Sequence, residues 1–307
     1  MTFLYKSEPG RGAIWQRMFA EHLPDLPFRV WPDVGNKTDI TYIGAWTLPN
    51  DLQNYTELQV LFSVAAGVDQ LDIGQIPDDV PLVRMLEPGL TAGMVEYVAM
   101  AVLALHRGMP AYLDRQRQQI WKSGPSRRPG ASRVGVMGLG VLGCAVLSAL
   151  APFGFPLRGW SRSRREVAGV ECFVGVKTLP AFLGGCDILI CLLPLTPETG
   201  GILNAKLFAA LPAGAGLINV GRGGHLVEAD LIAALESHHL SAAVLDVFDA
   251  EPLPAENRLW SHPQIWLTPH VASMTQPEGG AEAVIANIRA HRRGEPMTGL
   301  VERHRGY

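Results

Sequence analysis

Short runs of β-forming residues, punctuated by Pro, Gly and Asp, alternate with longer apolar stretches along most of the chain. In the first part these runs are Phe3–Lys6, Phe28–Trp31, Ile40–Trp46, Val60–Ser63 and Leu82–Met85. Their alternation with helical stretches predicts a parallel α/β sheet. The apolar stretch from Gly93 to His106, continuing toward Trp121, is too long for a strand and predicts a helix. The segment Lys122-Ser123-Gly124-Pro125-Ser126-Arg127-Arg128-Pro129-Gly130 ends that pattern as a loop. A second α/β series follows, with strands predicted at Arg133–Met137, Leu157–Trp160, Asp187–Leu193, Gly216–Val220, Ala242–Asp246 and Ile265–Thr268. From about Pro277 to Arg293 the spacing of Val284, Ile285 and Ile288 predicts a last helix that returns to the first domain.

Composition narrows the partners. With 48% hydrophobic and 18% charged residues, 307 residues are enough for two domains with sizeable cores. A net charge of −3 argues against a nucleic-acid partner. Cys144, Cys172, Cys186 and Cys191 form no CxxC pair and no His/Cys cluster with zinc spacing, so reduced thiols and no metal site are expected. The N-terminal residues lack a signal-peptide pattern, and no uninterrupted apolar run approaches the ~20 residues that cross a bilayer. A cytoplasmic protein without a membrane partner is the expectation.

The strand Arg133–Met137 leads into Gly138-Leu139-Gly140-Val141-Leu142-Gly143, a GxGxxG turn opening a helix. Gly138 permits the tight turn, Gly140 lets the backbone approach a pyrophosphate, and Gly143 lets the helix pack on the strand. The helix start, with Val141 and Leu142, offers N–H donors to the phosphates. Such a turn also occurs as plain structure; here the next strand stands where dinucleotide binding needs it. After that strand comes Ser161-Arg162-Ser163-Arg164-Arg165, with no carboxylate before Glu166. An NAD site needs a carboxylate for the ribose hydroxyls, whereas Ser161, Arg162, Ser163 and Arg165 suit the 2′-phosphate of NADPH. A solvated basic turn is the bland alternative. The fold expected is two Rossmann-like α/β domains with parallel sheets and an active site in the interdomain cleft.

Three later strands end on polar residues suited to one chemistry. Arg222 follows Ile218-Asn219-Val220-Gly221, Glu251 follows Leu245-Asp246-Val247-Phe248, and His270 follows Leu267-Thr268-Pro269. Carboxyl ends of strands in a doubly wound sheet face the ligand, so the three can converge. Arg222 suits the carboxylate and carbonyl of a 2-keto acid. His270 suits protonation of the oxyanion left by hydride addition, with Glu251 bonded to its far nitrogen to set the tautomer and favour the charged form. Asp246 is a candidate for the nicotinamide amide or for nearby backbone. Taken singly, each of these residue types is more often structural.

These segments, with Leu193-Pro194-Leu195-Thr196-Pro197-Glu198-Thr199 and the closing Arg305-Gly306-Tyr307, resemble the D-isomer-specific 2-hydroxyacid dehydrogenase family, in its subgroup of glyoxylate and hydroxypyruvate reductases. The resemblance implies Arg222, Glu251 and His270 as the catalytic trio, and Pro194 and Thr199 along the cofactor. It implies a carboxylate-binding loop at Val64-Ala65-Ala66-Gly67-Val68-Asp69, with Ala66 and Gly67 against the substrate, and Trp46 as a wall of the substrate pocket. It implies a flavodoxin-like substrate domain at 1–98 and 278–307, an NADP-binding domain at 99–277, and a homodimer joined through about Gly93 to Pro129. Gly221 departs from the Ala that many relatives carry before the arginine. Two other functions fit the same residues: a non-catalytic NAD(P)-sensing protein, and a dehydrogenase for a larger 2-keto acid.

Overall fold

The computed structural model describes residues 1–303, so the Arg305-Gly306-Tyr307 terminus used in the resemblance lies outside the described residues. The chain divides into two compact units, residues 1–90 with 274–307, and residues 91–273. The first runs β1 (Thr2–Lys6), α1 (Pro9–His22), β2 (Phe28–Val30), β3 (Ile40–Ala45), β4 (Val60–Ser63) and β5 (Leu82–Val83). Helices α2 (Pro88–His106) and α3 (Met109–Arg117) follow. The second unit continues with β6 (Val134–Met137), α4 (Val141–Leu150), β7 (Leu157–Ser161), β8 (Val170–Val174), α5 (Leu179–Leu183) and β9 (Ile188–Cys191). Then come α6 (Ala205–Ala209), β10 (Ala215–Asn219), α7 (Glu228–Glu236), β11 (Leu240–Leu245) and β12 (Ile265–Leu267), and α8 (Pro277–Arg292) closes the first unit.

Both sheets are parallel. The five-stranded sheet has the order β2-β1-β3-β4-β5, the flavodoxin-like arrangement. The seven-stranded sheet has the order β12-β11-β10-β9-β6-β7-β8, a dinucleotide-binding sheet with one further strand, β12, at its edge. Its topological reversal lies between β6 and β9. Buried strands here are near-continuous apolar runs, as parallel sheets covered on both faces require: Ile188, Leu189, Ile190 and Cys191 are all buried. The first unit's core gathers Phe3, Tyr5, Trp15 and Phe19 against Val284, Ile285 and Ile288 of α8, which explains why the last helix belongs to the first unit.

Three sequence expectations change. The boundaries fall at 90/91 and 273/274 rather than at 98/99 and 277/278. Leu90 joins the first core, whereas Met94, Tyr97 and Val98 already pack with Val134 and Val136 in the second. Thr275 donates to the Val64 carbonyl, which ties the approach to α8 into the first unit. The single helix expected toward Trp121 breaks at Gly108, whose φ of 68° lies in the left-handed region glycine tolerates, and restarts with Pro110 near its N-terminus. Strand β8 was not anticipated, because Val170-Glu171-Cys172-Phe173-Val174 is an edge strand with no continuous apolar run. Helix α2, though interrupted by Glu96, is long and apolar enough by length and composition to cross a bilayer; Val98, Ala101 and Val102 are buried in the second unit's core, the environment of a core helix.

Candidate active site

The carboxyl edge of the larger sheet carries every candidate of the second unit. Beyond the strands, the ladder of backbone bonds continues outward. Gly138 N donates to Trp160 O at 2.9 Å, Leu192 N to Met137 O at 2.9 Å, Asp246 N to Asn219 O at 3.1 Å, and Thr268 N to Leu245 O at 3.0 Å. The loops that leave this edge therefore start from a common rigid border.

The glycine turn is built as its spacing requires. Gly138 has a φ of 109°, and a Cβ there would stand 2.5 Å from Leu192 O. A Cβ on Gly143 would stand 1.9 Å from Gly138 O, so only glycine lets α4 sit this close to the turn. A Cβ on Gly140 would meet nothing within 4 Å, which leaves open space over its backbone. Helix α4 begins at Val141 and Leu142 with no side-chain cap among the described residues. Its first N–H groups and positive dipole end suit a pyrophosphate. At the end of β7, Ser161 Oγ donates to Ser163 O at 2.7 Å and folds the basic turn. Arg164 pairs with Glu166 at 2.8 Å, while Arg162, Ser163 and Arg165 are exposed. This edge thus fits a dinucleotide with an extra phosphate.

Pro194 and Thr199 belong to one braced loop after β9. Thr199 Oγ1 donates to Pro194 O at 2.7 Å and accepts from Thr196 N at 2.8 Å. Thr199 is buried, so its hydroxyl shapes the loop. Thr196 Oγ1 donates to Glu198 at 2.7 Å; that bond, above all, holds the Glu198 carboxyl below the usual range, with the Arg162 charge a lesser cause.

Arg222 sits in a loop held by two buried residues that sequence reasoning missed. Asn219 Nδ2 donates to Arg222 O at 3.1 Å. Arg222 N donates to His225 Nδ1 at 3.1 Å, so that nitrogen carries no proton, and Nε2 is the one that donates to Pro194 O at 3.2 Å. A fixed neutral imidazole thereby links the Arg222 loop to the Pro194 loop. Gly221 lies against the same ring, where a Cβ would stand 3.0 Å from His225 Nδ1. Gly223 is stricter: its Cβ would lie 1.8 Å from the backbone carbon of Phe248 and 2.2 Å from Asp249 N. That close approach presses the Arg222 loop onto the loop carrying Glu251.

Glu251 and His270 meet directly. His270 Nδ1 lies 2.8 Å from Glu251 Oε2, and Glu251 Oε1 accepts from Phe248 N at 2.9 Å. About a third of each side chain remains exposed, 35% and 36%, enough for a ligand to reach them. His270 has a φ of 55°. A left-handed conformation in a non-glycine residue costs about 1–3 kcal/mol and has to be imposed by its surroundings. Asp246, only 1% exposed, imposes it. Its Oδ1 accepts from Thr268 Oγ1 at 2.6 Å and Val271 N at 2.8 Å, and its Oδ2 from Ala272 N at 2.8 Å. Bonds to a charged acceptor contribute about 1.5–3 kcal/mol each, so three of them exceed the strain. Burial nevertheless pushes the Asp246 carboxyl above the usual range. Because Thr268 gives its proton to Asp246, Tyr97 donates to Thr268. Burial pushes the Tyr97 phenol up to about 12, which keeps that donor protonated. Of the two partners expected for Asp246, its oxygens serve nearby backbone.

Trp46, Ala66 and Gly67 lie in the first unit. Trp46 follows β3 and is 43% exposed. The loop at Ala66 and Gly67 is organised by buried Ser63, whose hydroxyl donates to Gly67 O at 2.8 Å and accepts from Ala65 N at 3.2 Å. Asn219, Gly223 and Thr268 stand inside segments already singled out in the sequence, but no spacing rule marks His225 or Tyr97.

A dinucleotide turn on the same sheet edge as a strand-end imidazole and its carboxylate defines an oxidoreductase of the hydride-transferring class. Residues 99–272 match the family model described as D-isomer specific 2-hydroxyacid dehydrogenase, NAD binding domain. The chain belongs to that family. It is 41% identical over 300 residues, 95% of this chain and 96% of the relative, to glyoxylate/hydroxypyruvate reductase A of Yersinia enterocolitica. It is also similar to a D-isomer specific 2-hydroxyacid dehydrogenase of Xanthobacter autotrophicus Py2 solved with NADPH and MES, with a TM-score of 0.94 and 38% identity covering 100% of this chain and 99% of that one. An NADPH-dependent glyoxylate/hydroxypyruvate reductase of Sinorhizobium meliloti, solved with NADP and sulfate, gives a TM-score of 0.91 at 36% identity, again over 100% and 99% of the chains.

Gly223→Ala should leave cofactor binding largely intact and lower kcat/KM by about 10²-fold, the scale expected when a reacting group is displaced by about 1 Å. Steady-state kinetics beside a cofactor titration check it; undiminished kcat/KM would contradict the close packing described.

Proposed function

We propose that this protein reduces small 2-keto acids with NADPH, taking glyoxylate to glycolate and hydroxypyruvate to D-glycerate. The observation that carries the reading is the 2.8 Å contact between His270 Nδ1 and Glu251. It commits one ring nitrogen and directs the other, Nε2, to act as proton donor. The printed names of the relatives support the substrate class.

When bound, the reduced nicotinamide supplies the hydride. Arg222 clamps the substrate carboxylate with its guanidinium fork and polarises the adjacent carbonyl. Protonated His270 gives its Nε2 proton to the alkoxide oxygen, and Glu251 keeps the ring oriented throughout. Asp246 acts through the loop it holds, as a positioning residue. Val141, Leu142 and the glycines of the turn receive the pyrophosphate. Ser161, Arg162, Ser163 and Arg165 receive the 2′-phosphate, and the braced loop of Pro194 and Thr199 flanks the cofactor. Ala66, Gly67 and Trp46 are assigned to the substrate side. A non-catalytic sensor would have no use for a strained, carboxylate-bound histidine.

We infer a homodimer from α2, α3 and the segment after them. Met100, Met109, Ile120 and Trp121 are exposed there, apolar side chains that a second copy of the chain would cover.

Absorbance of the reduced cofactor, followed with glyoxylate, hydroxypyruvate and pyruvate, tests the activity; no oxidation with any of them would refute it. His270→Ala should lower kcat by about 10²–10⁴-fold while NADPH binding persists. An equal loss of NADPH affinity would count against the assignment. Replacing Arg162 and Arg165 together by Ala should weaken NADPH far more than NADH, measured as the ratio of kcat/KM values. An unmoved ratio would mean that the basic turn is merely solvated.

A further inference from the structure

Lys6 ends β1, the strand between β2 and β3, and the residues that follow those two neighbours are both tryptophans. Trp31 N donates to Tyr5 O at 2.9 Å and Trp46 N to Lys6 O at 3.0 Å, so both indoles leave the sheet tied to β1. The Lys6 side chain then reaches past Trp46. Its ammonium donates to Thr47 O at 2.9 Å, Thr47 Oγ1 at 2.8 Å and Leu48 O at 3.1 Å. It also stands 5.3 Å from the centroid of the Trp31 ring. An ammonium has three protons, and all three are committed to the two residues after Trp46. Among the described residues Lys6 has no ion pair with a carboxylate. Its position is explained by the segment it holds and by the indole face beside it. Burial lowers the Lys6 pKa, in keeping with an ammonium drawn off solvent onto protein acceptors.

We propose that Lys6 is a specificity-positioning residue: by pinning Thr47 and Leu48 it fixes where the Trp46 indole stands, and so sets the size of 2-keto acid the enzyme accepts. The inference rests on Trp46 being a wall of the substrate pocket, as proposed above. Trp46 is bracketed on both sides by one residue, its own N–H by the Lys6 carbonyl and the next two residues by the Lys6 ammonium. Without the ammonium the segment keeps the Trp46 N–H bond and the buried Leu48 side chain but loses the bonds between them, and a large aromatic ring, 43% exposed, stands on that freed stretch.

The test compares Lys6→Met, Lys6→Arg, Thr47→Val and Trp46→Ala, each with glyoxylate, hydroxypyruvate and the bulkier phenylpyruvate, with KM for NADPH measured alongside. Lys6→Met keeps most of the stem and removes all three bonds. It should raise KM for glyoxylate about 10-fold, the scale of losing bonds to a charged donor. The kcat and the KM for NADPH should hold, and the preference for glyoxylate over phenylpyruvate should narrow. Lys6→Arg, which keeps the charge and several donors, should restore most of the preference. Thr47→Val, which removes one acceptor, should shift KM two- to three-fold in the same direction; it also serves if Lys6→Met fails to fold, as judged by thermal melting. If Trp46→Ala relaxes the preference and neither Lys6→Met nor Thr47→Val does, the Lys6 proposal is overturned and the reading of Trp46 stands. If Trp46→Ala also leaves the preference unchanged, the substrate-wall reading fails, and the proposal with it. A fall in kcat and in NADPH affinity on Lys6→Met would mark general damage and likewise overturn it.

Discussion

A single buried carboxylate organises the chemistry. Asp246 sits at the end of β11, the strand next to the edge strand β12, and gathers the Thr268 hydroxyl with the Val271 and Ala272 N–H groups. Those donors flank His270 on both sides in sequence, so the loop is drawn tight around the imidazole and His270 is held at positive φ. Ionised and buried, Asp246 would be costly if its lone pairs were unmet. The loop meets them, and the loop's shape is the consequence. The Glu251 contact, and with it the choice of Nε2 as proton donor, depends on that shape.

The holding groups outnumber the reacting ones. Asn219 and His225 fix the Arg222 loop, Gly223 presses it onto the Phe248–Asp249 backbone, and Thr199 ties the Pro194 carbonyl that His225 also uses. None of these side chains is needed to touch a substrate. They convert three loops, each starting at the carboxyl edge of one parallel sheet, into a surface with few alternatives. A reacting group placed about 1 Å off loses much of its rate, which is why so many buried hydrogen bonds serve the loops.

What was readable in the sequence follows from which forces are local. The glycine turn is a local demand: Gly138 needs its positive φ and Gly143 its missing side chain, so their spacing carries the meaning. Strands buried on both faces show as apolar runs, and both parallel sheets were legible for that reason. Strand β8 was not, since it lies at an edge and takes its place from pairing with β7. Gly108 and Pro110 both signal the helix break locally, but the apolar run that ends at Leu105 dominates the pattern and masked it. The bracing role of His225, and the choice between the two partners expected for Asp246, were beyond reach for a different reason. The Asp246 partners lie 22 to 26 residues away and the Pro194 carbonyl lies 31 residues from His225, and a histidine that braces a loop looks the same in sequence as one that moves a proton. His225 and His270 differ in what the fold brings to each nitrogen, a backbone N–H and a carbonyl for the first and a carboxylate for the second, and in exposure, the first being fully buried.

A crystal structure of the Asp246→Ala protein measures the organising claim most directly. With the three acceptor contacts removed, residues 268–272 should relax, His270 should leave the left-handed region, and its Nδ1 should move out of hydrogen-bond reach of Glu251. A loop that stays in place, with that pair still 2.8 Å apart, would show that the carboxylate is not what holds it.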